Sequence, residues 1–574
     1  MTDALATEPS QAGPHHVFDA WLDDFFAHYY ARRPVNATFI GVHDYDHVLP
    51  DFSPEGTGES VRQMRELRAR LARIPDTGLD EPRRHDRLLA DGFLDLQILE
   101  HDLPQAPRFN PTIATGEGVF SVISLFLRDA EPLAERVAAA VARMEALPGF
   151  LRQARVGTEA APIDWTQRAI REARSATAYF ARGIPILAAE RGIDRPQFVL
   201  AAGQAAVAFA EHAAWLEREV LARPSEEVAC GRAALDHYLQ KGHCLPPERD
   251  AAWVEEEGWR AFEEAKSGLE QKARAIDPLQ SWPELLATLP DHHPSEERYA
   301  GEFGRVWVAA QRAALDHDLV TWPDFPIEYV PVPASDREAA AGLYYLPYRC
   351  PAPFGRPETQ RYLISPLDPG MPEAEKERVL RANHEAAITL NHVVHHGGLG
   401  HHVQNWHAFR AASRIGQMAG VDCASRIACF GAGTLVEGWA CYATDLMEEV
   451  GFLSPLTALA EQQSRLRMAA RAIVDVRLHT GGFTLDEAAS FYQEEAGMTA
   501  AAARGEAVKN SLFPGAAVMY LIGTEAIHHL RRQLAARDGG AFSLRAFHDR
   551  FLSYGAIPVA LIAGSMLGEE GAVA

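Results

Sequence analysis

Asn391-His-Val-Val-His-His-Gly-Gly-Leu-Gly-His-His-Val-Gln-Asn-Trp-His407 is the stretch on which the reading of this chain turns. Six of the 24 histidines fall within its 16 residues from His392 to His407. His392 and His396 have the one-turn spacing that places two imidazoles on one helix face, but no glutamate stands between them. His384-Glu385 opens like a His-Glu-x-x-His helix, yet Ile388 occupies the fifth position. His395 and His401 are six apart, about 120° apart on an unbroken helix, and converge only if the helix breaks between them. Gly397, Gly398 and Gly400 permit such a break. His402 is the alternative to His401: it returns to the same face but about 10 Å along the axis. A metal-free, histidine-rich helix end is the competing reading.

About 30 residues later comes Glu437-Gly-Trp-Ala-Cys-Tyr442. Two imidazoles on one segment and a carboxylate on a later helix are what a catalytic metal site requires, with one position left for water. Thr434 is placed to cap the Glu437 helix, and a glutamate in a first helical turn is also favoured by the helix dipole alone. Asp445 and Glu449 extend its polar edge as solvated charges, while Trp439, Cys441 and Tyr442 read as core.

Outward from these segments, apolar spacing predicts helices over Asp19–Arg32, Arg84–Leu103, Leu133–Leu147, Thr166–Arg191, Pro196–Leu221, Ala251–Ala275 and Arg298–Asp316. The texture changes near Thr321. Ile327–Pro333, Gly342–Pro347 and Arg361–Ser365 are short, β-branched or aromatic, and read as two or three strands. Helices resume over Glu373–His395, Thr434–Glu449, Leu456–His479, Thr484–Glu494 and Pro514–Leu534. The expected fold is mainly α with a small sheet (α+β), divided into a helical region 1–320 and a metal-binding catalytic region 321–574 that pack together.

Composition is that of an ordinary globular protein, with 47% hydrophobic and 23% charged residues. A formal net charge of −23 argues against nucleic acid as a partner. No apolar run approaches the ~20 residues that span a bilayer, so no membrane partner is expected. The start shows no basic and apolar leader pattern, and the six scattered cysteines form no Cys-x-x-Cys pair. A reduced, cytoplasmic protein is the expectation.

These blocks together resemble the bacterial family of domain of unknown function 885, which sits in the thermolysin-like clan of zinc metallopeptidases. The family pattern His-Glu-x-x-Pro-Gly-His-His-x-Gln is similar to His395-His396-Gly-Gly-Leu399-Gly400-His401-His402-Val-Gln404. Its Glu-Gly-Trp-Ala-x-Tyr-Ala-Glu is similar to Glu437 through Thr444. Pro34–Asp44 with Ser53-Pro54, Asp475–Phe483 and Phe513–Gly523 resemble three further blocks in the same order. The resemblance implies His395, His401 and Glu437 as metal ligands, and His479 and Tyr520 as donors to a developing oxyanion.

The departures bear on chemistry. His396 stands where the family has the glutamate that handles the water proton, Leu399 replaces a proline, Thr444 a glutamate and Arg477 a glycine. Two acids are thus absent and one base gained, and Arg477 becomes a candidate for holding an anionic substrate group. The resemblance implies one divalent ion, zinc before iron, manganese or copper. The expected reaction is hydrolysis of an amide or peptide-like bond in a small substrate, with His396 as base. The alternatives are a lyase or other specialised reaction on the same scaffold, with His396 moving a substrate proton or joining the ligands, and a catalytically dead binding scaffold.

Overall fold

The computed structural model describes residues 14–568 apart from 159, 341, 343–351, 356–357 and 419–431. The protein is mainly α, with a two-stranded parallel sheet. One continuous apolar core contains residues from Phe18 to Met566, so helices from both ends of the sequence share it. The expected strand over Gly342–Pro347 falls, beyond Gly342, outside the described residues.

Two long helices make the structural spine behind the site. Ala251–Ile276 begins where the Asp250 side chain accepts the N–H groups of Ala252 and Trp253 at 3.0 and 3.1 Å. Its buried side, Val254, Gly258, Ala261, Phe262, Ala265, Leu269 and Ala273, recurs at intervals of three and four. That stripe packs against Pro455–Thr480, whose cap is Ser454, accepting from Thr457 N–H. Burying each large side chain of such a seam contributes roughly 1.5–3 kcal/mol before ordering costs. Gly258 lies against Ile473, and a methyl group there would come within 2.9 Å of its side chain.

β1 (Ile327–Pro331) and β2 (Gln360–Ile364) pair in parallel, with Tyr329 opposite Tyr362. Both phenols reach one residue of the histidine segment. Tyr329 Oη–H donates to His392 O at 3.1 Å, and Tyr362 Oη lies 2.7 Å from His392 Nδ1. The sheet therefore serves to hold that segment in place.

Three expectations are corrected. The helix read over Glu373–His395 is two segments, Glu373–Ala382 and Ala387–Gly397. The helix read over Pro514–Leu534 begins only at Met519, because the preceding turn is gathered onto Asp475, which accepts from Gly515 and Ala517 N–H. One helical stretch, Pro196–Val220, is long and apolar enough to cross a membrane by length and composition, where none was expected. Half of its most apolar window is buried inside the protein, packed on Leu133–Gly157 and Ile163–Ala178.

Candidate metal centre

Ala387–Gly397 is wound as a π-helix, with i→i+5 hydrogen bonds, and ends in a glycine-built break before His401–Ala408 begins. Gly400 turns at φ −73°, ψ −116°, and its N–H reaches back to Val394 O at 2.9 Å. A Cβ on Gly400 would stand 1.9 Å from His395 O, so this approach of the backbone to itself demands glycine. Carbonyls released at the break are satisfied by aromatic donors. Trp307 Nε1–H donates to Gly397 O at 2.7 Å, and Trp439 Nε1–H donates to Leu399 O at 2.9 Å.

The break brings the rings of His395 and His401 to a centroid separation of 4.8 Å at 85°. His402 turns the other way: it is fully buried, with Nε2 3.1 Å from Phe325 O. His407 Nε2 lies 3.3 Å from Thr321 O. The dense histidine run thus separates into a convergent set, His395, His396 and His401, and three that anchor backbone or sheet, His392, His402 and His407.

Glu437 arrives on Gly433–Glu449, which crosses Met519–Asp538 at a double glycine contact. A Cβ on Gly523 would meet Thr434 O at 2.1 Å, and one on Gly438 would meet the Gly523 backbone at 2.6 Å. That crossing sets Glu437 and Tyr520 on the wall of one cavity. Glu437 Oε2 is 3.3 Å from His395 Nε2 and 3.8 Å from His401 Nε2. Donor atoms of His395, His396 and His401 all lie within 4.8 Å of one another. Tetrahedral ligands at ~2.0–2.1 Å from an ion are about 3.3 Å apart, so this set suits a divalent metal after small side-chain adjustment. His396 Nδ1 is 2.7 Å from Asn391 O, which assigns the proton to Nδ1 and leaves the lone pair on Nε2.

Electrostatics agree with that donor set. Burial pushes the His401 imidazolium down to about 4 against the opposing pull of Glu437. Burial, then the charges of His395 and His401, hold His396 well below the usual histidine range. Burial alone would raise Glu437, but the hydrogen bond from His395 and the charges of His401, His395 and Lys509 outweigh it and keep the carboxylate ionised. Metal ligation needs neutral imidazole beside ionised carboxylate, and the shifts of His401 and Glu437 run in those two directions.

The cluster opens on a cavity of about 670 Å³. Tyr520 lines it, with Arg471 stacked over its ring at 4.6 Å, and burial keeps the phenol protonated as a donor. His479 and Arg477 are not among the lining residues. His479 is fully buried, with Nδ1 accepting from Cys230 N–H at 3.4 Å and Nε2 3.1 Å from Asn510 O. Arg477 pairs with Glu255 at 2.7 Å and lies over Trp259 and Phe483. The cations that do line the cavity are Arg467, Arg471 and Lys509, none of which sequence reasoning singled out. Their only signal was the Arg-x-x-x-Arg spacing that puts 467 and 471 on one helix face.

Two smaller readings change. Thr434 does not cap the Glu437 helix; its Oγ1 accepts from Val559 N–H at 3.2 Å. Asp445 is not solvated but 1% exposed, paired with Arg465 and 2.7 Å from His528 Nε2.

A protein family described as "Bacterial protein of unknown function (DUF885)" matches residues 34–566. Among solved structures, one similar to this chain is described as "a putative lipoprotein of unknown function from Shewanella oneidensis". It has 20% sequence identity and a TM-score of 0.76, covering 97% of this chain and 100% of that one. A second is "the putative lipoprotein from Colwellia psychrerythraea", at 16% identity and a TM-score of 0.75, covering 97% and 99%. At such identities the likeness is one of fold. No curated protein matches the chain.

Proposed function

The chain belongs to the DUF885 family of bacterial proteins, and from that premise we propose that it is a divalent-metal enzyme hydrolysing an amide or peptide-like bond in a small substrate. The observation that carries this reading is the convergence of His395, His401 and Glu437 at ligand spacing on a cavity wall. The arrangement suits the thermolysin-like clan and zinc. Those three residues would hold the ion, which supplies Lewis-acid polarisation of a carbonyl and acidification of water. His396 accepts the water proton at Nε2, its ring oriented by the Nδ1–H bond to Asn391 O. Tyr520 offers its hydroxyl to developing negative charge. The cavity volume suits a small molecule or short peptide.

A second reading follows from the same ring. An imidazole donating Nδ1–H to a backbone carbonyl is also the usual second-shell arrangement of a metal ligand. With His396 as a fourth protein ligand the site would favour iron, copper or another metal and a non-hydrolytic step. Elemental analysis of wild type and of the His395→Ala, Glu437→Ala and His396→Ala variants, with turnover of an amide panel, tests both. The first reading expects metal lost in the first two and kept in the third, which loses turnover. Metal lost in all three supports the second. A wild type that stays empty after metal supplementation sinks both and leaves a binding scaffold.

We place the protein in a reducing compartment, the cytoplasm, supported by the free thiols of Cys230, Cys244 and Cys441. The description of its two structural relatives as lipoproteins points elsewhere, and cell fractionation decides.

A further inference from the structure

We propose that the cavity holds a carboxylate group of the substrate against Arg467, a specificity subsite distinct from the metal ligands; this rests on the cavity being the substrate site. Arg467 lies one turn from Arg471 on Pro455–Thr480 and lines the same cavity as His395, His401 and Glu437. Other guanidiniums of this helix have acidic partners. Arg465 pairs with Asp445 and Glu461, and Arg471 Nε pairs with Glu506 at 2.8 Å. Arg467 has none: among the described residues no carboxylate lies within ion-pair distance of it, and its hydrogen bond goes to the neutral Ser464 Oγ at 2.9 Å. Arg477, near the end of the helix, is likewise paired, with Glu255.

A partly buried guanidinium with no ion pair of its own is costly unless something supplies a partner. Burial, with the nearby charge of Arg471, draws Arg467 down to about 10 against the opposing pull of Glu506, which pairs with Arg471, and this still leaves Arg467 charged at neutral pH. One of its donors is spent on Ser464, and the remaining fork is matched to the two oxygens of a carboxylate. Ser464 and Gln463 line the cavity beside it and add neutral polar groups. The planar fork suits a planar carboxylate better than a tetrahedral phosphate, and Glu437 and Glu461 on the same cavity wall limit how much negative charge it admits.

The probes are succinate, its neutral diamide and inorganic phosphate, titrated calorimetrically into the full chain, both stripped of metal by chelation and metal-loaded. Succinate is expected to bind stripped and loaded wild type at least tenfold more tightly than the diamide. Arg467→Ala is expected to lose tenfold or more of that affinity and Arg467→Lys to retain part of it, since a point charge replaces the fork. Arg477→Ala, outside the cavity on the same helix, should be unchanged. Circular dichroism melting of each variant establishes that it folds, and Arg467→Lys carries the test if the alanine variant does not. Equal succinate binding by wild type and Arg467→Ala, equal binding of succinate and diamide, or preference for phosphate overturns the proposal. His395→Ala separates the two readings: it should lose metal yet keep succinate affinity, so a chain that never takes up metal still reports on Arg467.

Discussion

Gly400→Ala is the most direct test of how the backbone builds this site. The added Cβ would sit 1.9 Å from His395 O, 2.7 Å from its carbonyl carbon and 2.9 Å from Val394 O. A relaxed C···O contact is about 3.3 Å, so the two strands of the break must separate by about 1.4 Å. All three atoms are backbone, so no rotamer change relieves the clash. That displacement also strains the Gly400 N–H bond to Val394 O and moves His395 relative to His401. Overpacking of this kind costs ~1–3 kcal/mol. Across 574 residues the unfolding entropy is about 1.2 kcal/mol/K, so 3 kcal/mol lowers Tm by only about 2–3 °C. Metal affinity is far more sensitive, because changes to the groups that orient metal ligands typically cost ~10–100-fold. The assay is zinc titration against a competing chelator alongside calorimetric melting. Gly505→Ala is the control: it lies in Ala500–Leu512 with nothing within 4 Å of its Cβ position and should gain ~0.5–1 kcal/mol without touching the metal. A Gly400→Ala protein that binds zinc within threefold of wild type would refute the geometric argument.

Other outcomes follow from the same contacts. His401→Ala should abolish stoichiometric metal, whereas His402→Ala should keep metal and lose ~1–3 kcal/mol of stability by stranding Phe325 O; the opposite pattern assigns the ligand to His402. His548 is fully buried, with Nδ1 2.6 Å from Leu319 O and Nε2 2.9 Å from Tyr442 Oη, and burial holds it at about 3. Its folded value lies below the unfolded one near 6.5, so its stabilising contribution is present above pH 6.5 and is lost as pH falls towards 3. The stability difference between wild type and His548→Gln should therefore shrink by roughly 2 kcal/mol between pH 6.5 and 4.5; a pH-independent difference, measured by denaturant titration, contradicts the assignment. Arg477→Ala removes a pair with Glu255 whose partners are each about a third exposed, and should cost no more than ~1 kcal/mol, read by the same titration.

What was legible in the chain and what was not divides along physical lines. The seam of Ala251–Ile276 was readable because burial imposes a period on residue types that a helix repeats without interruption. The break before His401 was readable from Gly397, Gly398 and Gly400, since nothing but local sterics demands three glycines in four residues. The choice between His401 and His402 was not, because it depends on how far the chain turns at Gly400, an angle that the π winding and the Tyr329, Trp307 and Trp439 tethers set together. Those tethers join positions up to 90 residues apart and leave no local pattern. Arg467 and Arg471 were invisible for another reason. A helix position that faces an internal cavity and one that faces solvent both select polar side chains, and only the packing of the neighbouring helices distinguishes them.

The charge balance of the cavity connects His396 with Arg467. A glutamate at 396 would set a second carboxylate beside Glu437, whose charge already reaches this ring. One further negative charge on the same cavity wall would repel an incoming carboxylate, the more strongly for lying in a partly desolvated site. Histidine at 396 removes that repulsion while keeping a lone pair directed by Asn391 O. The cationic wall acts in the same direction, since among the described residues Arg467 makes no ion pair, whereas Arg471 does. An imidazole where a carboxylate could stand and a guanidinium without its acid both lower the cost of admitting an anion. Neither gives any advantage to a neutral peptide chain, so on the proposed reading of the cavity the two features together favour a small substrate that carries its own negative charge.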